Sequence, residues 1–404
     1  MSEAQNPADE PPSLNGRWRT GFLLIGIIFL TINLRGAITG VGPVLGAIQA
    51  DLGLSAGIAG LLTTLPVFAF ATISPLAPSV ATKLGIERTL FAALMLIMAG
   101  LALRVTGGSI ILFLGTAIVG TGIAVGNVLV PGLIRRDFPD RLATVTAIFT
   151  MTMVIAGGVG SGIAVPLAEI GGWRFSLLAW LTPGIVAAVI WLPQLSSKTR
   201  PQHGAEGFPK IRGLLRSALA WQVTLLMGLQ ASGFYVLITW LPSILAEDGV
   251  SAATAGWVLF LFQLAILAGT MIIPVLINKL PDQKGIGVGC GVLLMIGYAG
   301  LLFHSDWVIA WMTIAGVGSG GSLSLCLTLF GLRAANAQQT VSLSGMAQSI
   351  GYLIAAVMPL GLGFVHDVTG TWTPALVIMI GVVAGQMIAG YLAGRPLTLS
   401  EEPS

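Results

Sequence analysis

"GFLLIGIIFLTINLRGAITGVGP", residues 21–43, decides how the chain is read. Its first ten residues are as apolar as any in the sequence. A helix of about 20 such residues crosses a bilayer. Yet Arg35 stands near the middle of the run, flanked by Asn33 and by glycines. A permanent charge in a segment made for hydrocarbon requires a partner or a purpose.

The rest of the chain has the same character. Of 404 residues, 55% are hydrophobic and 9% charged, and the mean hydropathy is +0.92. A soluble domain carries about 25% charged residues, so the composition is that of a membrane protein. Marking apolar runs gives twelve, near 19–46, 55–81, 89–106, 109–134, 142–168, 173–193, 218–246, 253–279, 285–303, 307–331, 341–365 and 372–394. They do not alternate with period two, which excludes a β-barrel. The expected fold is an all-α membrane protein of twelve transmembrane helices. The first 16 residues read as a polar tail, and helix 1 as an uncleaved span rather than a signal peptide, because eleven more follow.

Basic residues set the orientation. With the N-terminus inside, inner loops and tails hold 16 of the 19 lysines and arginines, and the outer side holds Arg104 and Arg174. This bias predicts a multi-pass protein of the cell (inner) membrane with both termini cytoplasmic. The pI near 9.1 then reports topology, and no nucleic-acid partner is expected. Cys290 and Cys326 fall inside predicted helices and read as small core residues, neither a disulfide nor metal ligands. No cofactor is expected.

An internal repeat organises the helices. "SAGIAG" (55–60) returns as "SAATAG" (251–256), "PSVATKL" (78–84) as "PVLINKL" (274–280), and "GTG" (120–122) as "GVG" (316–318), each at an offset of 196. The chain divides into a tail (1–18), a six-helix half (19–195), a hydrophilic central loop (196–217), a second half (218–394) and a C-terminal tail (395–404). Duplicated halves with a site between them are the plan of alternating-access carriers. Clustered glycines, 54 in all, suit close helix packing. With "GGWRFSLL" opening helix 6, this architecture resembles the major facilitator superfamily. "ATKLGIER" (81–88) stands where that superfamily carries its Gly-x-x-x-Asp-Arg-x-Gly-Arg loop, with Pro78 at the first glycine and Thr82 at the aspartate. Only Lys83, Gly85 and Arg88 of the signature persist, so the loop is not expected to carry the family's usual charge relay.

Polar residues at depth point to function. All 16 acids lie in tails, loops or helix ends, whereas a cation-exporting proton antiporter generally needs a membrane carboxylate. Arg35 cannot shed its proton, and at a helix centre it costs roughly 2.5–3.5 kcal/mol on insertion scales. Either backbone carbonyls, amides and water satisfy it, or a substrate anion does, held by the planar guanidinium fork. Asn33, Asn127, Gln230, Tyr235, Gln263, Gln348 and Tyr352 sit at similar depth and are the other candidate lining residues. Trp240 and Trp257 read as interface anchors, and "IRRDFPDR" (134–141) as a solvated inner loop. No paired acids or clustered histidines at depth suggest an enzyme.

"NLRGAITGVGP" (33–43) resembles the cyanate porter (CynX/NimT) family, whose first helix carries Asn-Leu-Arg-x-Ala-x-Thr-x-x-Gly-Pro. Gly36 replaces the proline many members have, a change expected to loosen the helix there. The resemblance implies transport of cyanate, other small anions or nitroimidazoles. The leading expectation is a monomeric secondary transporter of a small anion, with Arg35 binding the anion and a proton as candidate coupling ion. The alternative is an exporter of neutral drugs such as nitroimidazoles.

Overall fold

The computed structural model describes residues 14–196, 214–303 and 307–399. Among these, eleven helical stretches are long and apolar enough to cross a membrane, and one of them covers Thr144–Leu195. That stretch turns back at Gly171 and Gly172, the latter at φ +75, a left-handed geometry that glycine adopts without Cβ strain. It therefore makes two passes, giving twelve. The N-terminal helices are α1 (Leu14–Thr39), α2 (Val41–Leu52), α3 (Ala56–Ala59), α4 (Leu61–Ile73), α5 (Ala77–Leu84), α6 (Ile86–Leu103), α7 (Ser109–Asp137), α8 (Leu142–Leu178) and α9 (Leu181–Trp191). After the central linker come α10 (Ala218–Glu247), α11 (Ala252–Ile277), α12 (Lys284–Phe303), α13 (Val308–Leu332), α14 (Ala337–Thr369) and α15 (Thr373–Ala393).

Prolines explain where helices break and how neighbours compensate. Pro43 has no N–H to give the Thr39 carbonyl, so the first pass is interrupted at Gly40, between α1 and α2. The freed Thr39 carbonyl accepts from Ser161 Oγ on α8 at 3.2 Å. Pro274 likewise frees the Thr270 carbonyl, and Ser324 Oγ on α13 donates to it at 3.2 Å. In hydrocarbon such groups must be satisfied inside the bundle. The helix runs unbroken through Gly36, contrary to the loosening expected there. Gly36 instead lies under the Trp180 ring, where any Cβ would clash.

The 196-residue repeat is geometric as well as sequential. Ser55 Oγ accepts from the Ile58 amide and Ser251 Oγ from the Thr254 amide, capping equivalent helices. Gly120 packs on Pro66 and Gly316 on Phe262, both pairs one repeat apart.

The first six passes meet the last six mainly through α8 with α11, and α3 and α4 with α14. The hydrogen bonds that join them lie toward the turns at 53–55, 248–251 and 370–372. Asp367 accepts from the Ala56 and Gly57 amides at 2.8 and 2.7 Å. Thr64 Oγ1 donates to the Ala356 carbonyl at 2.6 Å, and Thr239 Oγ1 to Thr63 Oγ1 at 2.7 Å. Gly60 and Gly256, which end the two repeated hexapeptides, seal the same face. A Cβ on Gly60 would stand 2.8 Å from the Pro359 carbonyl oxygen, and one on Gly256 would stand 2.6 Å from that of Ser161. The molecule is closed on this turn-bearing face.

Candidate substrate-binding site

Arg35 is only half-buried. Its guanidinium carbon lies 4.4 Å from the centroid of the Phe234 ring on α10, a cation–π contact. None of the ion pairs among the described residues includes Arg35. The lower part of its side chain crosses α8 at Gly157, where a Cβ would stand 2.8 Å from Arg35 Cγ and would also collide with Gln263 Oε1 from α11. Gly157 thus lets residues from the first, fifth and eighth passes share one point. Its carbonyl accepts from Thr39 Oγ1 at 2.7 Å, which pins α1 to α8 beside the arginine.

The surroundings are aromatic. Phe234 meets Tyr235 edge-on at 5.1 Å and stacks on Phe262 at 6.2 Å. Tyr235 is buried, and Arg35 is within hydrogen-bonding and electrostatic reach of its hydroxyl. Tyr352 on α14 lies in the electrostatic range of both Arg35 and Tyr235. Its ring meets Phe70 of α4 edge-on at 5.9 Å. Gln263 is 2% exposed, and its Nε2 has no hydrogen-bond partner.

Of the residues singled out from the sequence, Arg35, Tyr235, Gln263 and Tyr352 come together. Gln230 lies one turn from Phe234 on the same helical face; it is buried, and its Nε2 reaches only Met227 Sδ at 3.5 Å. Gln348 lies one turn from Tyr352 and donates to Ser344 Oγ at 2.8 Å. Asn127 is half-buried on α7. Asn33 is set apart. Two residues from Arg35, it points to the other side of α1, donates to the Phe29 carbonyl at 2.8 Å and faces Gly184 of α9. Phe70, Phe234 and Gly157 were not singled out. An apolar ring or a glycine carries no signal when every helix is rich in both.

Three other sequence readings are corrected. Arg104 is not an outer-loop cation: it is 1% exposed and donates to the Ala37 and Leu177 carbonyls at 3.1 and 3.3 Å. Trp240 is not an interface anchor. It is fully buried, donates to the Pro359 carbonyl at 2.8 Å and packs on Trp372 at 4.7 Å, on the closed face. Residues 134–141 are not a simple solvated loop, because Arg136 pairs with the buried Glu87 at 2.7 Å and Phe138 is buried. Trp257 is 48% exposed, in keeping with a membrane-facing position. Cys290 and Cys326 are buried and unpaired. Among the described residues, no group of three His, Cys, Asp or Glu side chains could hold a metal.

Twelve passes, a geometric repeat and a cationic, aromatic-walled site between the two sets of helices define a polytopic membrane carrier. The chain belongs to the Major Facilitator Superfamily, whose family model matches residues 22–359, and it is a transporter of that superfamily. It is 44% identical to the 2-nitroimidazole transporter of Escherichia coli (strain K12), over 95% of this chain and 98% of that one. It is 27% identical to the cyanate transport protein CynX of the same organism, over 91% and 95%. It therefore resembles the CynX/NimT group, as the first helix suggested. The crystal structure of a D-xylose–proton symporter superposes with a TM-score of 0.75 at 12% identity, covering 96% of this chain and 99% of that one, which shows the shared fold.

Proposed function

We propose that the protein is a secondary transporter of small solutes ending in an electron-rich acceptor group, a nitro group or a small anion, and that Arg35 binds that group. The observation that carries the reading is Arg35 laid on Phe234 between the two sets of helices, with no carboxylate paired to it among the described residues. Such a cation attracts acceptors and repels ammonium-bearing solutes. Tyr235, Tyr352, Phe70 and Phe262 supply flat apolar walls suited to a small conjugated ring. The 44% identity to a 2-nitroimidazole transporter, against 27% to the cyanate carrier, supports a preference for nitro-compounds over cyanate.

Transport would proceed by rocking of the halves 19–195 and 218–394 about this site. By the distribution of basic residues, the closed face is the outer one and the termini are cytoplasmic, in the bacterial inner membrane. A proton, if coupled, would travel on the solute or bind near the cavity mouth, because no acid lies mid-helix.

Counterflow in proteoliposomes tests this. Wild type and Arg35→Gln are loaded with 2-nitroimidazole, benzoate or cyanate. Exchange of at least one probe by wild type, falling tenfold or more in the variant, is expected. Equal exchange by both proteins would make Arg35 structural and overturn the reading.

A further inference from the structure

We propose that Gln263 is the specificity-determining partner of Arg35, and that the pair selects solutes ending in two acceptor atoms over solutes ending in one. This rests on Arg35 being the solute's anchor. The argument begins with an imbalance. Gln263 is 2% exposed, yet its Nε2 donates to nothing. Buried amide donors are normally paired, and leaving one bare is unfavourable. Its Oε1 and the Arg35 Cγ converge on the space that the missing Gly157 side chain leaves empty. The Gln263 carboxamide, which carries the unsatisfied donor, therefore lies beside the Arg35 side chain.

The donors around that volume have different geometries. Arg35 is held with one face on Phe234, so its remaining N–H groups point along the edge of the guanidinium plane. A carboxylate or nitro group can take that edge with one oxygen and leave the second for Gln263. A nitrile or another single-acceptor terminus engages Arg35 and leaves the amide bare. Specificity then arises from an unsatisfied donor in the wrong complex as much as from a bond in the right one. A glutamine fits this role where a glutamate would not. A carboxylate at 263 would pair with Arg35 and compete with the solute.

The test compares 2-nitroimidazole with imidazole-2-carbonitrile, the same ring carrying two acceptor atoms or one. Binding is measured by calorimetry on the purified full-length protein in detergent. For wild type the nitro compound is expected to bind about tenfold more tightly, the effect of one well-made hydrogen bond. In Gln263→Leu that preference collapses to within twofold, with nitrile affinity retained as the control for folding. Gln263→Glu keeps the shape but replaces the donor by an acceptor that pairs with Arg35, so it should weaken both probes as well as abolish the preference. A nitro-to-nitrile ratio unchanged in both variants, while Arg35→Gln abolishes binding, would overturn this inference and leave the Arg35 reading intact. Equal binding by wild type and Arg35→Gln would remove both.

Discussion

Arg104 and Arg35 both lie among the helices, and their partners tell them apart. Arg104, at the end of α6, gives its terminal nitrogens to the Ala37 and Leu177 carbonyls. Both carbonyls lie where helices are interrupted, between α1 and α2 and between α8 and α9, so they lack the usual i+4 donor. Arg104 thus satisfies backbone that the helix breaks leave open, and only its Nε lacks a partner. Arg35 has no such task. It rests on an aromatic ring, half-buried, with donors to spare. The difference is testable in stability. Arg104→Met keeps most of the volume but strands two buried carbonyls, at about 2–4 kcal/mol. Its melting temperature in detergent should fall well below wild type, whereas that of Arg35→Gln should stay close. A melting temperature for Arg104→Met equal to wild type would show that the two contacts carry no stability.

Elements were the most legible level of the sequence. Hydropathy marks spans because each must cross the same apolar thickness, and the repeat shows as equal spacing of caps and glycines. Arg35 was legible because a charge contrasts with hydrocarbon. Rotation about each helix axis was not, since the helices are apolar nearly all round. Asn33 and Arg35, equally deep, face opposite ways, and Trp240 and Trp257 looked alike although one is buried and the other 48% exposed. The repeated hexapeptides illustrate how an element acts through its smallest residue. Gly256 lets α11 approach the Ser161 carbonyl of α8 across the two sets of helices, as Gly60 lets α4 approach α14. Backbone on both sides cannot yield as a side chain would, and forced overpacking typically costs about 1–3 kcal/mol. Gly256→Val is therefore expected to hold the turn-bearing face apart. Solute binding to purified protein should persist while proteoliposome exchange drops at least tenfold. Normal exchange would show that this approach is not needed for turnover.

At the scale of the whole molecule, closure on one face is a balance between contacts that must be remade in each cycle. Glycine packing at Gly60 and Gly256 is against uncharged backbone, and the buried Trp240 and Trp372 pair lies within the second set alone. Asp367 differs because it is an anion of α14 that reaches across to two amides at the start of α3. Around it stand His366 on its own helix, which pairs with Glu247 of α10 at 3.2 Å, and the Ser55 side chain. Replacing one carboxylate oxygen by an NH₂ leaves the amides with a single acceptor and sets a donor against a donor. Asp367 is exposed, so the loss is modest, about 1 kcal/mol, or roughly a fivefold shift in a two-state balance. Asp367→Asn should then populate the state open on this face about fivefold more. Spin labels at Leu54→Cys and Thr371→Cys, read as a distance distribution, measure it, since the native cysteines are buried and take up label slowly. A longer-distance fraction that grows in the variant would make Asp367 a latch between the two sets. An unchanged distribution would leave closure to the glycine contacts, whose surfaces fit whether or not the charge is there.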